Sequence, residues 1–176
     1  MLVPTAAGMR ALGERLAALL RAGDLVVLTG LLGAGKTTLA QGIGDGLGVR
    51  GPVTSPTFVI ARTHPSLRGG PALVHADAYR LSSRAEVDDL DLDADLDCSV
   101  TVVEWGEGLV DDLAPSLLEI TITRPPPAGR APAGRAPDEG APDEGDEPRT
   151  VRIAGRGDRW AAAAADLARL ALTGAP

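Results

Sequence analysis

Near the start of the chain, apolar residues recur at helical spacing. Met9, Leu12 and Leu16 lie three or four positions apart, with charged residues between them. This spacing predicts an amphipathic surface helix. The stretch has no basic-then-apolar signal pattern, and no window approaches the ~18 apolar residues of a membrane span. We therefore expect no membrane segment.

Beyond position 24 the pattern changes to short apolar runs, each bounded by Gly, Pro or charge, which predict β-strands. The runs are Leu25 to Leu28, Val53 to Ala61, Ala72 to Leu81, Ser99 to Trp105, Leu117 to Thr123, and Val151 to Ile153. Helices are predicted from Lys36 to about Leu47 and from Asp158 to Leu172. The alternation predicts an α/β fold with a mostly parallel sheet, helices on both faces, and an antiparallel C-terminal extension.

One segment does not fit this core. Arg124 to Arg149 holds two copies of AGRAP and two of APDEG, with almost nothing to bury. Such a composition predicts a disordered loop, at 125–148, within a single domain spanning 1–176. A repeat expansion tolerated between two strands is the simpler interpretation, and a specific docking segment is the alternative.

Composition limits the functional classes. A net charge of −7 and a pI of about 4.8 argue against a surface that itself grips nucleic acid, so any RNA would be held by a partner. A single cysteine, Cys98, and two histidines give neither an internal disulfide nor a Cys/His metal cluster. We expect a cytoplasmic protein in which Cys98 is at least partly buried.

The stretch GLLGAGKT, from Gly30 to Thr37, fits the P-loop pattern G-x-x-x-x-G-K-[ST]. Glycines let the backbone curl around phosphate oxygens, and the helix that follows directs its N-terminal dipole at the same anion. Lys36 is the only lysine in the chain, and it stands where a compact ammonium reaches the β- and γ-phosphates. The Thr37 hydroxyl is a Mg²⁺ ligand in this pattern. A second glycine run, Gly42 to Gly48, is interpreted as a helix terminus.

A P-loop needs an acidic partner at the end of a buried strand. Asp77 ends one predicted strand and Glu104 ends another. Either could bind Mg²⁺ directly or through water, while the other orients the attacking water or acts as a base.

Four motifs in one order resemble the TsaE (YjeE) family of small bacterial P-loop ATPases. They are GLLGAGKTT (30–38), SPTF (55–58), HADAYRL (75–81) and VVEWGE (102–107), and the resemblance runs from about Thr5 to Arg152 without the repeat loop. It implies a P-loop NTPase three-layer sandwich that binds ATP and Mg²⁺ and hydrolyses ATP slowly. It also implies action with TsaD and TsaB in forming threonylcarbamoyladenosine on tRNA, with tRNA met only through that complex.

The resemblance also implies roles for individual residues. Phosphates would be surrounded by Gly33, Ala34, Gly35, Lys36, Thr37 and Thr38, with Gly30 opening the loop. Thr37 and Glu104 would hold Mg²⁺, and Asp77 would be the catalytic or Walker B-type carboxylate. Ser55 to Thr57 would sense the γ-phosphate, Trp105 would lie beside the nucleotide, and Thr5 and Arg149 would lie near its base and sugar.

Leu31 departs from the family, which usually has Asp at this place, so any role of that carboxylate in orienting water or a partner is lost or moved. Two other functional classes fit a P-loop. A small-molecule kinase would need an acceptor to consume ATP, and a nucleotide-dependent binding module would turn over little without its partner. The acidic run from Glu86 to Asp97 lacks the glycine of a calcium loop and is predicted to be a solvated short helix or turn.

Overall fold

The computed structural model describes residues 1–56, 61–81, 83–92, 94–124 and 147–172. Thr57 lies outside these ranges, as does the predicted loop at 125–148 apart from Glu147 and Pro148. The single domain and the disordered loop therefore stay predictions. Within the described ranges no helix combines the length and apolarity that a membrane span requires.

In the part of the chain that the structure describes, seven strands form one mixed sheet. They are β1 (Leu2–Val3), β2 (Leu25–Thr29), β3 (Ala61–His64), β4 (Ala72–Asp77), β5 (Ser99–Glu104), β6 (Leu117–Thr123) and β7 (Arg149–Arg156). Their order across the sheet is β1-β7-β6-β2-β5-β4-β3. The central strands β6, β2, β5 and β4 are parallel, and β7 pairs antiparallel with β6. The parallel centre and its antiparallel C-terminal extension are confirmed.

Within the described residues, five α-helices accompany the sheet. They are α1 (Ala6–Ala17), α2 (Lys36–Leu47), α3 (Arg84–Asp88), α4 (Asp158–Ala162) and α5 (Ala164–Leu172). Thr5 caps α1, because its side-chain hydroxyl accepts the Gly8 N–H at 3.0 Å. Gly48 ends α2 in the left-handed conformation that a glycine adopts without a Cβ penalty. The start of α1 and the end of α2 therefore each have a local sequence reason.

Two clusters of buried side chains lie on opposite faces of the sheet. One joins α1, α2 and Trp160 of α4 to alternate strand residues such as Val26 and Val102. The other joins Val27 and Val103, the next residues along the same strands, to α3 and the segments beside it. Successive strand residues thus enter opposite cores, which is why these strands are apolar without alternation.

Three expectations need correction, and one strand was missed. The strand predicted at Val53 to Ala61 has no strand structure over Val53–Pro56 and instead forms at Ala61–His64, where it pairs antiparallel with β4. The short edge strand β1 was not predicted. The predicted last helix is divided in two at Ala163, and Cys98 is exposed.

Candidate nucleotide site

The P-loop connects the buried strand β2 to the start of α2. Gly33 and Gly35 have φ angles of 74° and 106°, in the left-handed region that side chains with a Cβ rarely adopt. A Cβ on Gly30 would lie 2.5 Å from the Ile122 carbonyl oxygen of the neighbouring strand. Ala34 is buried, and its N–H donates to the Leu31 carbonyl at 3.0 Å. The loop curvature therefore depends on the glycines that the motif predicts.

Lys36 is held inside this loop and is only 4% exposed. Its Nζ donates to the Gly30 carbonyl at 2.8 Å and to the Leu31 carbonyl at 3.2 Å, and it lies 3.9 Å from the centre of the Trp105 ring. Burial lowers the pKa of the Lys36 ammonium, while the nearby Glu104 carboxylate acts in the opposite direction. Among the described residues Lys36 forms no salt bridge, so its charge is available to an anion.

Both predicted carboxylates lie beside the loop. Asp77 ends β4 and Glu104 ends β5, and the two residues are directly opposite in the parallel ladder. Glu104 Oε1 accepts the Thr37 hydroxyl at 2.8 Å. Asp77 accepts the Tyr79 backbone N–H at 3.0 Å and a long hydrogen bond from the Ser55 hydroxyl at 3.5 Å. The sheet register therefore places an acid on each of two neighbouring strand ends facing α2.

An open cleft of about 380 Å³ joins these groups, a volume within the range of small-molecule sites. Its walls include the site residues Gly33, Gly35, Lys36, Thr37, Thr38, Ser55, Asp77, Glu104, Trp105 and Arg149. Gly30, Ala34 and Thr5 are not among the lining residues, although Ala6, the neighbour of Thr5, is. A larger groove of about 570 Å³ between β7 and the last two helices is mostly apolar and lacks these polar groups.

Aromatic side chains close one side of the cleft. Trp105 has a φ of 62°, an uncommon backbone conformation for a residue with a large side chain. Its ring lies over the Lys36 ammonium, and the Tyr79 ring lies 5.1 Å from it. The Trp105 ring lines the cleft, and its place beside a nucleotide stays a prediction.

The oxygen donors in the cleft fit a hard cation such as Mg²⁺. The described residues contain no cluster of three His, Cys, Asp or Glu side chains able to hold a metal alone. Mg²⁺ bound with a nucleotide does not need one, because phosphates and waters supply most of its ligands. The Thr37 hydroxyl and the Glu104 carboxylate, whose oxygens lie 2.8 Å apart, are the adjacent oxygen ligands that the cleft offers.

The sequence did not reveal three contacts at this site. His75 Nε2 lies 3.0 Å from Glu104 Oε1. Arg124 reaches the outside of the P-loop, with Nη1 about 3.5 Å from where a Gly33 Cβ would lie, and it pairs with Glu147. The period-2 spacing of His75 and Asp77 predicts a shared face, but only the strand register identifies the partner.

The chain matches the family model described as threonylcarbamoyl adenosine biosynthesis protein TsaE over residues 3–131. The chain belongs to the TsaE family. Two relatives bear the name tRNA threonylcarbamoyladenosine biosynthesis protein TsaE. The one from Streptomyces coelicolor is 58% identical over 156 residues, 88% of this chain and 95% of the relative. The one from Bacillus subtilis is 38% identical over 116 residues, 65% of this chain and 71% of the relative.

A solved structure supports the same grouping. The crystal structure of Bacillus subtilis YdiB superposes with a TM-score of 0.66 at 26% identity, covering 96% of this chain and 93% of that one. The predicted fold class and the predicted TsaE membership are thus confirmed. One departure within the family lies at the tip of the P-loop, where Leu31 is 75% exposed in the place at which Asp is usual.

Proposed function

We propose that this TsaE-family chain is a Mg²⁺-dependent ATPase that supports threonylcarbamoyladenosine modification of tRNA adenosine 37, acting with TsaD and TsaB. The observation that carries the ATPase assignment is the buried Lys36 ammonium, which forms no salt bridge among the described residues, beside the Thr37–Glu104 hydrogen bond. Support for the tRNA pathway comes from the names of the family and the relatives.

Binding would exchange internal contacts for contacts to phosphate. Lys36 Nζ now donates to two P-loop carbonyls and lies against Trp105. Phosphate oxygens would replace those carbonyls as acceptors, and the loop N–H groups and the N-terminus of α2 would add further donors. Thr38 and Arg149, which also line the cleft, would contact the rest of the nucleotide.

Thr37 and Glu104 would hold the Mg²⁺ ion. Bound there, Mg²⁺ neutralises charge on the β- and γ-phosphates. Asp77 would act as the base: it would accept a proton from a water whose oxygen attacks the γ-phosphorus, while the bond from phosphorus to the β–γ bridging oxygen breaks. The products are ADP and inorganic phosphate. Trp105 and Tyr79 would limit the access of bulk water at one side.

The acidic surface bears on the partners. With a net charge of −7 the chain is poorly suited to neutralise tRNA phosphates, so tRNA would be held by the complex with TsaD and TsaB. Residues 125–146 lie outside the described residues and carry no part of this proposal. A cytoplasmic location is part of the proposal and fits the single cysteine.

The test is Mg-ATP hydrolysis by the purified full-length chain, first alone and then with TsaD, TsaB and tRNA. We expect slow turnover without any acceptor, a rate altered by the partners, and repeated rounds of tRNA modification only when this chain is present. ATP consumption that requires a small-molecule acceptor would instead place the chain among the kinases. Tight binding without turnover, even in the complex, would make it a nucleotide-dependent binding module.

A further inference from the structure

His75 lies in the core directly beneath the nucleotide site. It is fully buried on β4, two residues before Asp77, so both side chains project from the same face of the sheet. The same face carries Leu73 and Val102 of the larger core cluster. His75 does not line the cleft, and it therefore cannot touch a nucleotide placed there.

The His75 side chain has one hydrogen-bond partner among the described residues. His75 Nε2 lies 3.0 Å from Glu104 Oε1, and because a carboxylate only accepts, Nε2 is the donor. Nδ1 has no hydrogen-bond partner among the described residues. An apolar side chain would fill this place without leaving a buried polar atom unpaired, so packing alone does not explain a histidine there.

The hydrogen bond constrains a group that the nucleotide site needs. Glu104 Oε1 receives two donors, the Thr37 hydroxyl at 2.8 Å and His75 Nε2 at 3.0 Å. The two donors come from α2 and β4, so the carboxylate is held between two separate elements. With Oε1 held from both sides, the carboxylate is restricted to one orientation toward the cleft.

We propose that His75 is a positioning residue for the Mg²⁺ site. By holding Glu104 Oε1 from the core side, it sets the orientation in which the carboxylate meets Mg²⁺, with no contact of its own to metal or nucleotide. The inference rests on the proposed Mg-ATP function. In this proposal His75 orients Glu104 for the metal, and it has no role in orienting Asp77 or the attacking water.

The test compares His75→Leu, which removes the donor, with His75→Gln, whose amide N–H can occupy the place of Nε2. The first measurement is the ratio of ADP dissociation constants without and with Mg²⁺, obtained by calorimetry. We expect H75L to lower this ratio about tenfold, an effect typical of removing a residue that orients a metal ligand. For H75Q the ratio should stay within about threefold of the parental value. ADP affinity in EDTA should be unchanged.

A second readout separates positioning from general damage. For H75L the Mg²⁺ concentration giving half-maximal hydrolysis should rise, and excess Mg²⁺ should recover much of the parental kcat. The matched control is His64→Leu, which removes the other buried histidine, whose ring donates to the Arg50 carbonyl and not to a site residue. That control should keep the parental Mg²⁺ dependence.

The outcomes distinguish the two proposals. A parent protein with no Mg²⁺ effect on ADP binding and no hydrolysis would remove the proposed function itself. A Mg²⁺-dependent parent with an equally Mg²⁺-dependent H75L would overturn the role of His75. Equal loss in H75L and H75Q, with both melting lower, would also overturn it in favour of a packing role. If H75L does not fold, H75N replaces it, since its shorter amide cannot reach Glu104.

Discussion

The two ends of strand β2 bury charge in opposite ways. At its N-terminal end, Asp24 is only 3% exposed. Both of its carboxylate oxygens accept hydrogen bonds from Arg159, one from Nε at 3.0 Å and one from Nη2 at 3.0 Å. At its C-terminal end, Lys36, Asp77 and Glu104 are buried close together without a salt bridge between them. At the first end the fold itself neutralises the buried charge. At the second end an added ligand would be needed to neutralise the buried charges.

Each arrangement has its own energetic consequence. A buried carboxylate with a bidentate guanidinium and a backbone donor, here the Arg21 N–H at 2.9 Å, is satisfied by the fold itself. A buried ammonium on carbonyl oxygens is held at a desolvation cost, as the lowered pKa of Lys36 indicates. Removing charge at the two ends should therefore have opposite effects on stability and on activity.

The largest effect is expected from Lys36→Ala. Loss of the ammonium should reduce ATP turnover about a thousandfold, the scale of removing a main stabiliser of transition-state charge. The unfolding free energy should change little, because no salt bridge of the fold is lost. Turnover by phosphate release and unfolding by denaturant titration measure the two quantities. Parental turnover in this variant would remove the P-loop assignment.

At the opposite end, Arg159→Leu should mainly affect stability. It leaves the Asp24 carboxylate buried without its guanidinium, and breaking such a pair costs about 3 kcal/mol. ATP turnover at low temperature should stay near the parental rate. Adding Asp24→Asn should recover part of the loss, because the uncompensated charge is gone.

The control for that pair is Arg169→Leu, which breaks an exposed contact with Asp166 in α5. Exposed pairs contribute little, so its unfolding transition should match that of the parent. If Arg159→Leu also unfolds like the parent, or if it loses turnover as strongly as Lys36→Ala, the contrast between the two ends of β2 is wrong.

Glu104→Gln should give the next effect, confined to the Mg²⁺-dependent step. The amide keeps the shape of the side chain but loses the charge that binds Mg²⁺, so turnover should fall about a hundredfold, or about 2.7 kcal/mol. ADP affinity in EDTA should stay near the parental value. The measurement is kcat against Mg²⁺ concentration. A fully active variant would transfer the metal role to Asp77.

Sequence patterns predicted the P-loop end of β2 better than the other end. The glycine spacing, the lone lysine and the strand-final acids follow from local chemistry, so their positions could be read directly. The Asp24–Arg159 pair joins residues 135 positions apart, and nothing local indicates it. The same limit applies to His75: its spacing from Asp77 predicts a shared face, but its partner Glu104 depends on the strand register.

The second glycine run shows another limit. Gly48 ends α2 as predicted, but Gly42 and Gly46 lie inside the helix, where a Cβ would approach α1 atoms to 2.0 Å and 2.5 Å. These glycines let α1 pack closely on α2. Spacing alone does not separate a glycine needed for a turn from one needed for close packing, because both depend on which neighbour is present.

The smallest effect concerns His64, which pairs across from Leu73 near the N-terminal ends of the parallel strands. Burial lowers the pKa of His64 below the ordinary ~6.5, and nearby His75 and Arg62 lower it further. His64 therefore binds a proton more readily in the unfolded chain than in the folded chain. The contribution of His64 to the free energy of unfolding is fully present above pH ~6.5. It is lost as the pH falls below that value, by at most about 1.4 kcal/mol per pH unit.

The His64→Gln variant has no titrating group at this position. Its amide keeps a donor for the Arg50 carbonyl, which His64 Nδ1 contacts at 3.2 Å in the parent. Because other groups titrate in both proteins, the informative quantity is the difference in unfolding free energy between parent and variant. The parent's advantage should shrink as the pH falls from 7.5 to about 5.5, since only the parent is penalised by protonation of the unfolded histidine. ATP turnover at pH 7.5 should be equal in both. A difference independent of pH would mean that the His64 ring accepts its proton in the folded state as readily as in water, and that burial at this end of the sheet does not discriminate against charge.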